Sequence, residues 1–486
     1  MIQFTGLCGF LNATSPYTFV LSPNLIEAQK HIAALRLDKG KALVEAEKQA
    51  NKMNMAVHLF DNYIDFYRVL CLQKKEDFDA AEKVKSMRIE AIKRIDNSNP
   101  YKLFGQAEIH LQNAFLKGMF EEYLGAAWDF KTCYSLLEQN QKAFPNFITN
   151  KKDIGVLKAI LGTIPDSYHW IVGIAGMNAD LNEGLALMKE YVEKADDKEI
   201  LMERKNAQYF YALFNLNFLK NKAEAWKLAD KYTADYKTNL MSVCIRAFAA
   251  KGTDNNEACV ETLTLRPTGS DYISFPYLEM MHGSALLQRL DLNAVVHFKK
   301  FIASNKEKSD NKEAYQKLSW CAWLKNDTVS YLLYRNIAVN ISDKGEKNQL
   351  ASSGGKDRFP EKTLLKGRLL FDGGYYEQAE QIMLAKPIGT FKTDLEKVEY
   401  LYRMGRIYHE HNKLSKAIEY YELTVKTNFK GNEYLAANAC LQLGYIYQKL
   451  NFKQLAKSHF NKVFEYKNYD YKNYLQQQAK AALAKL

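Results

Sequence analysis

The residue types that could carry chemistry are thinly spread along these 486 residues, and their spacing argues against most reactions. The densest set of metal-ligating types is His409-Glu410-His411. On a helix, residues two apart point about 200° apart, so the two imidazoles cannot share one ion. The HExxH spacing that would put both on one face is absent. Gly354-Gly355-Lys356 comes nearest to a phosphate-cradling loop, but it lacks the earlier glycine and has Asp357 where Ser or Thr is required. No GxSxG elbow, GxGxxG turn or EF-hand loop occurs. The acidic pairs Glu121-Glu122 and Asp196-Asp197 stand in polar surroundings and read as solvated helix ends. The 7 cysteines are scattered, with no CxxC pair, and read as buried free thiols. A chain without catalysis, metal or cofactor is expected.

Charge narrows the partners. The net charge is +11, with 67 basic residues set among 56 acidic ones. A nucleic-acid binder usually gathers its basic residues into a stripe. The nearest such run is Lys453, Lys457, Lys462, Lys467, Lys472, Lys480 and Lys485, opposed by Glu465 and Asp470. It reads as the solvated face of the last helices, with RNA or an anionic membrane surface as the alternative. No nucleic-acid partner is expected. No stretch approaches the roughly 18 apolar residues of a membrane span. Residues 1–20 are moderately apolar and no Lys or Arg precedes Lys30. The cytoplasm is the favoured compartment, and export through a degenerate leader is the alternative.

The elements that would position any site are helices. Hydrophobic content of 47% with 25% charged residues describes a folded chain, and 9 prolines with 24 glycines favour helices over a loop-rich β fold. A chain this long exceeds one ordinary core unless the architecture grows by addition. Apolar residues recur at three- and four-residue steps from Pro23 to Ile95, then in a long hairpin over Tyr101–Phe144. Lys151–Lys194 is the least repetitive segment, with glycines 155, 162, 173 and 176 punctuating apolar runs. It reads as close helix packing, with a carrier or enzyme pocket near Ile154–Met177 as the alternative. Helical pairs resume from Tyr209 to Ile341. Residues 342–359 form a polar, glycine-bearing connection ending before Pro360.

Val398–Gly431 shows the organising pattern most clearly. Leu401, Met404, Gly405 and Tyr408 mark one helix face, and Ala417, Tyr421 and Thr424 mark a second after the break at Asn412–Lys413. Gly367 and Ala379 stand at the same separation as Gly405 and Ala417, and as Gly444 and Ala456. Leu370, Tyr408 and Tyr447 follow each glycine at one offset; Met383, Tyr421 and Phe460 follow each alanine at another. Over about 360–470 the chain resembles the tetratricopeptide-repeat family, whose unit is a helical hairpin of roughly 34 residues. A fainter resemblance over Tyr101–Tyr191 is to uncharacterised bacterial tetratricopeptide proteins and, more remotely, to the eukaryotic inclusion-body-clearance type. Neither brings a catalytic residue.

The fold expected is all-α, a right-handed superhelical stack of antiparallel helix hairpins. Residues 1–22 are an N-terminal segment, 23–341 a divergent helical-repeat array, 342–359 an exposed loop and 360–486 a three-repeat tetratricopeptide array. The family resemblance implies that the first helix of each hairpin faces a concave groove. It makes Glu361, Leu364, Arg368 and Phe371, then Glu399, Tyr402, Arg406 and His409, then Asn438, Leu441, Tyr445 and Gln448 the ligand-facing positions. A peptide-groove set of Arg368, Tyr402, Arg406, His409, Asn438, Tyr445 and Gln448 follows. Its planar guanidiniums suit an acidic or carboxylate-bearing extended peptide. The competing expectation is that both arginines only pair with Glu361 and Glu399. The function expected is a protein–protein or protein–peptide scaffold.

Overall fold

A computed structural model describes residues 15–164, 179–196, 198–219, 221–305, 311–341, 359–427, 433–467 and 471–483, with the isolated positions 170, 173, 174, 176, 469 and 486. Among these the β structure is one parallel bridge, Thr18 to Asn54. The rest is helix and turn. The chain divides into two compact units, one of residues 1–253 with 261–276, the other of 254–260 with 277–486. The connection at 342–358 lies outside the described residues.

The first unit is a row of hairpins. Their helices are α1 Pro23–Ala33, α2 Leu37–Ala50, α3 Ala56–Leu72, α4 Lys75–Lys93, α5 Tyr101–Met119 and α6 Tyr123–Ala143. They continue as α7 Thr149–Leu161, α8 Leu181–Lys194, α9 Leu201–Asn217, α10 Lys222–Tyr232 and α11 Leu240–Gly252. Start signals sit where the helices begin. Ser22 accepts from the Leu25 amide ahead of Pro23, and Asp180 accepts from the Glu183 amide. The row closes on itself. The Leu201 amide donates to Gln29 (2.9 Å), Ile273 donates to the Leu35 carbonyl (3.0 Å), and α1 packs against α9 as well as α3.

The second unit continues the scheme with α13 Pro276–Gln288, α14 Ala294–Ser304, α15 Asn311–Leu324, α16 Thr328–Asn340, α17 Lys362–Asp372 and α18 Tyr376–Leu384. The short α12, Asn256–Thr264, precedes these. After them come α19 Asp394–Glu410, α20 Leu414–Thr427, α21 Tyr434–Lys449, α22 Lys453–Lys462 and a closing α23, Lys472–Leu483. Thr393 and Glu396 form a reciprocal capping box at the start of α19. In four of these hairpins a glycine of the first helix meets a large side chain of the second. A Cβ at Gly367 would lie 2.6 Å from Met383, at Gly405 2.7 Å from the Tyr421 ring, and at Gly444 2.3 Å from the Phe460 ring. Gly283 meets Phe298 the same way, at 2.7 Å. The alanines Ala379, Ala417 and Ala456 are fully buried beside these contacts.

One turn recurs in both units. Leu35, Glu121, Leu290, Asn326, Gly374, Asn412 and Asn451 all have positive φ between their paired helices. The next amide reaches back to the carbonyl five residues earlier, as in Lys413 to Tyr408 (2.9 Å) and Glu122 to Lys117 (2.8 Å). This left-handed cap satisfies the last carbonyls of the first helix and sends the chain directly into the second.

The interior of the first unit holds an ionic cluster with no counterpart in the expectations above. Lys152, Asp153 and Glu203 are buried with Glu108 and Tyr63. The Lys152 ammonium lies 3.0 Å from Glu108 and is in closer contact with Asp153 and Glu203. Tyr63 donates to Glu108 (2.8 Å) and also contacts Glu203, while Gln112 donates to Glu108 (2.8 Å). The carboxyl oxygens of Glu108, Asp153 and Glu203 lie within 4.8 Å of one another, as a metal site would need, but the Lys152 ammonium stands among them. Burial and the Glu108 charge push Glu203 up to about 7 and hold Asp153 well above the usual range. Burial also raises Glu108, but Lys152 and Gln112 bring it below its ordinary value. The cluster is therefore the Lys152–Glu108 ion pair with Asp153 held neutral by its proton and Glu203 losing its own at about 7.

A carboxyl whose folded pKa is raised contributes stability below the usual carboxylate range and loses it as pH climbs through the folded value. The midpoint of thermal unfolding of the first unit should fall by several degrees as pH rises through about 7, and Glu203→Gln should flatten that fall, checked by calorimetry. In the second unit, Gly444→Ala should cost roughly 1–3 kcal/mol in denaturant unfolding, because the new methyl overlaps the Phe460 ring. Gly389→Ala, which meets nothing within 4 Å, should be near neutral.

Candidate functional site

The first helices α17, α19 and α21 carry the seven candidate residues, and the structure brings some of them together. Arg406 and Tyr402 are one helical turn apart, and the Arg406 guanidinium donates to the Tyr402 hydroxyl (3.2 Å). The same guanidinium lies over the Phe371 ring, 4.8 Å from its centre, an attraction between cation and ring face. Phe371, at the end of α17, thus supplies a wall for Arg406 on α19. Burial works against the charge on Arg406, but Tyr402, Tyr421 and Glu410 outweigh it and the group stays a cation.

Arg368, on α17, has different partners. It is exposed, lies 5.1 Å over the Trp320 ring and pairs with Asp372 at 3.6 Å. Neither arginine pairs with the glutamates named as the competing partners. Glu361 caps the Leu364 amide (2.9 Å) and binds Lys386 (2.8 Å), and Glu399 pairs with Arg403 one turn along. Arg406 has no carboxylate at ion-pair distance among the described residues.

On α21, Asn438 donates to the Tyr434 hydroxyl (3.0 Å) and accepts from Gln442 (3.1 Å). Burial raises Tyr434 to about 12, and Tyr402, Arg406 and Arg368 all act on it electrostatically. Tyr434 thus partners Asn438, and sequence reasoning missed it. Its position ten residues before Gly444 is occupied by Leu395 in the preceding repeat, so no repeating signal marks it. Trp320 and Phe371 are the other ring partners. Phe371 was marked by register, whereas Trp320 lay outside the three in-register repeats.

The remaining positions diverge. His409 is half-buried, edge-on to the Tyr421 ring (6.1 Å), and burial with Arg406 and Lys449 lowers it to about 4, so it is neutral near pH 7. His411 faces the other way, toward Glu380 (3.1 Å) and Glu377 (3.5 Å). Tyr445 donates to Gln478 on α23 (3.3 Å) and packs edge-on against Phe460. Gln448 is half-buried, while Tyr402 and Asn438 are buried, as are Leu364 and Leu441 at the register of Tyr402. One unpartnered polar atom lies beside the arginine: the Tyr421 hydroxyl is buried and has no hydrogen bond.

The two alternative surfaces also have structural settings. Near Ile154–Met177, a Cβ at Gly155 would lie 2.8 Å from the Gly184 carbonyl, and one at Gly184 2.5 Å from that of Gly155. The backbones of α7 and α8 touch there, while residues 165–169, 171, 172, 175, 177 and 178 lie outside the described set. Of the C-terminal lysines, Lys453 donates to the Leu486 carbonyl (2.9 Å), Lys457, Lys467 and Lys480 are exposed, and Lys485 is outside the described residues. Among the described residues no helix is long and apolar enough to cross a membrane.

The tetratricopeptide-repeat family profile matches residues 398–429 and 437–470, the hairpins of α19–α20 and α21–α22. No curated protein matches the chain in sequence. Among solved structures, that of the APC/C hetero-tetramer Cut9-Hcn1 is similar at 12% identity, covering 91% of this chain and 89% of that one. Its TM-score of 0.27 is too low to assign a role to any residue. The profile match identifies 398–429 and 437–470 as tetratricopeptide repeats, set within an all-helical stack of hairpins.

Proposed function

We propose that this protein is a non-catalytic interaction scaffold whose C-terminal hairpins grip an extended, acidic or carboxylate-bearing peptide along α17, α19 and α21. The coarse part of this reading rests on the repeat family, whose stacked hairpins suit protein partners. The finer part rests on one observation. Arg406 is a half-buried cation held in place by Phe371 and Tyr402, with no carboxylate opposite it. A guanidinium fixed in that way has already lost much of its rotamer freedom, so less ordering is left to oppose binding. A peptide carboxylate would supply the close ion-pair partner that Glu410, acting on Arg406 from beyond ion-pair distance, does not. Arg368, on the Trp320 ring and only loosely paired with Asp372, is the second contact.

The full chain should bind a pool of short Asp- and Glu-bearing peptides with free C-termini, measured by fluorescence anisotropy. Arg406→Ala should weaken the best binder by about tenfold or more, and Arg368→Ala by less, because Arg368 already has Asp372. Affinity unchanged in the double variant would refute the arginine contacts.

A further inference from the structure

The first unit contains a cavity of about 290 Å³, remote in sequence from the C-terminal repeats and independent of the peptide reading above. Its walls are the first helices of successive hairpins: Phe66 from α3, Leu111 and Phe115 from α5, Phe210 and Leu213 from α9. A cavity of roughly half this volume, lined by aliphatic and aromatic side chains, is enough to hold benzene. The polar residues of the lining are Glu108, Gln112, Lys152 and Asn206. Two of them are engaged with neighbours, since Gln112 donates to Glu108 (2.8 Å) and accepts from Asn62 (2.8 Å), and Asn206 accepts from the Tyr67 hydroxyl (2.9 Å). Glu108 and Lys152 belong to the buried cluster in which three carboxyls share one ammonium.

That count sets the sign of the ligand. A carboxylate or phosphate head entering the cavity would meet Glu108 with Lys152 already held by three carboxyls. The cluster is balanced only while Asp153 and Glu203 hold protons, and a cation beside Glu108 would take the place of one of those protons. We propose that this cavity binds an amphiphile with an apolar body and a protonated amine head, the body against Phe115, Phe210 and Leu213 and the head turned to Glu108. The match is by charge at one end and by apolar area along the rest, the usual division of labour in small-molecule pockets. No bond is made or broken.

Titration calorimetry on the full chain at neutral pH, with n-octylammonium, n-octanol and n-octanoate as probes, tests it. The ammonium should bind about tenfold or more tighter than the alcohol, because only it makes a charge-assisted hydrogen bond, and the carboxylate should bind weakest. Leu213→Trp, which fills the cavity from α9, should remove binding of all three. Glu108→Gln should leave the alcohol unchanged and erase the preference for the ammonium. If that variant does not fold, by circular dichroism, the head-group order and Leu213→Trp decide the matter. Equal binding of alcohol and ammonium, tighter binding of the carboxylate, no binding of the ammonium, or undiminished binding to Leu213→Trp would each overturn the proposal.

Discussion

A hairpin of two helices has more apolar surface than its own contact can cover, and in this chain the surplus is managed by laying a large side chain on bare backbone. Tyr421 on Gly405, Phe460 on Gly444, Met383 on Gly367 and Phe298 on Gly283 are the same device. It lets the paired helices approach closely and turns the remaining apolar rows toward the neighbouring hairpins. The left-handed turn fixes the sense in which the second helix returns. With both in place, the first helices of consecutive hairpins lie side by side. That is how Phe371 of α17 comes against Arg406 of α19.

The first unit uses the same hairpins to different effect. Its row returns to its beginning, so that α1 touches α9 and the first helices enclose an interior. Enclosure is what buries Lys152, Glu108, Asp153 and Glu203. Charges taken out of water need partners, and the cluster meets that need with one ion pair, several hydrogen bonds and bound protons. The cavity beside it is apolar along its walls and acidic at one place. The second unit places its arginines on ring faces instead, with one left short of a carboxylate.

The C-terminal hairpins were legible because their packing device and turn chemistry both recur at fixed offsets. Glycine, alanine and the large side chain repeat together, and the turn residues are Gly374, Asn412 and Asn451, types that tolerate positive φ. Upstream the same turn is made by Leu35, Glu121 and Leu290, which disfavour that conformation and give no sequence sign of it. Gly283 pairs with Phe298 one residue out of the C-terminal register, enough to hide a hairpin of the same construction. The buried cluster was illegible for another reason. Glu108, Lys152 and Glu203 lie far apart in sequence and look like ordinary surface charges, so only the closed row brings them together. At the candidate site, the turn between Tyr402 and Arg406 could be read from their spacing. The burial of Tyr402 and Asn438, like that of Leu364 and Leu441, depends on how neighbouring hairpins pack.

The most direct measurement is hydrogen exchange by mass spectrometry on the full chain, free and saturated with a protein or peptide partner recovered from the native source. The account predicts that added protection falls on α17, α19 and α21, and that the outer helices α20 and α22 exchange as in the free chain. Protection on α20 and α22 with the inner helices unchanged would contradict it.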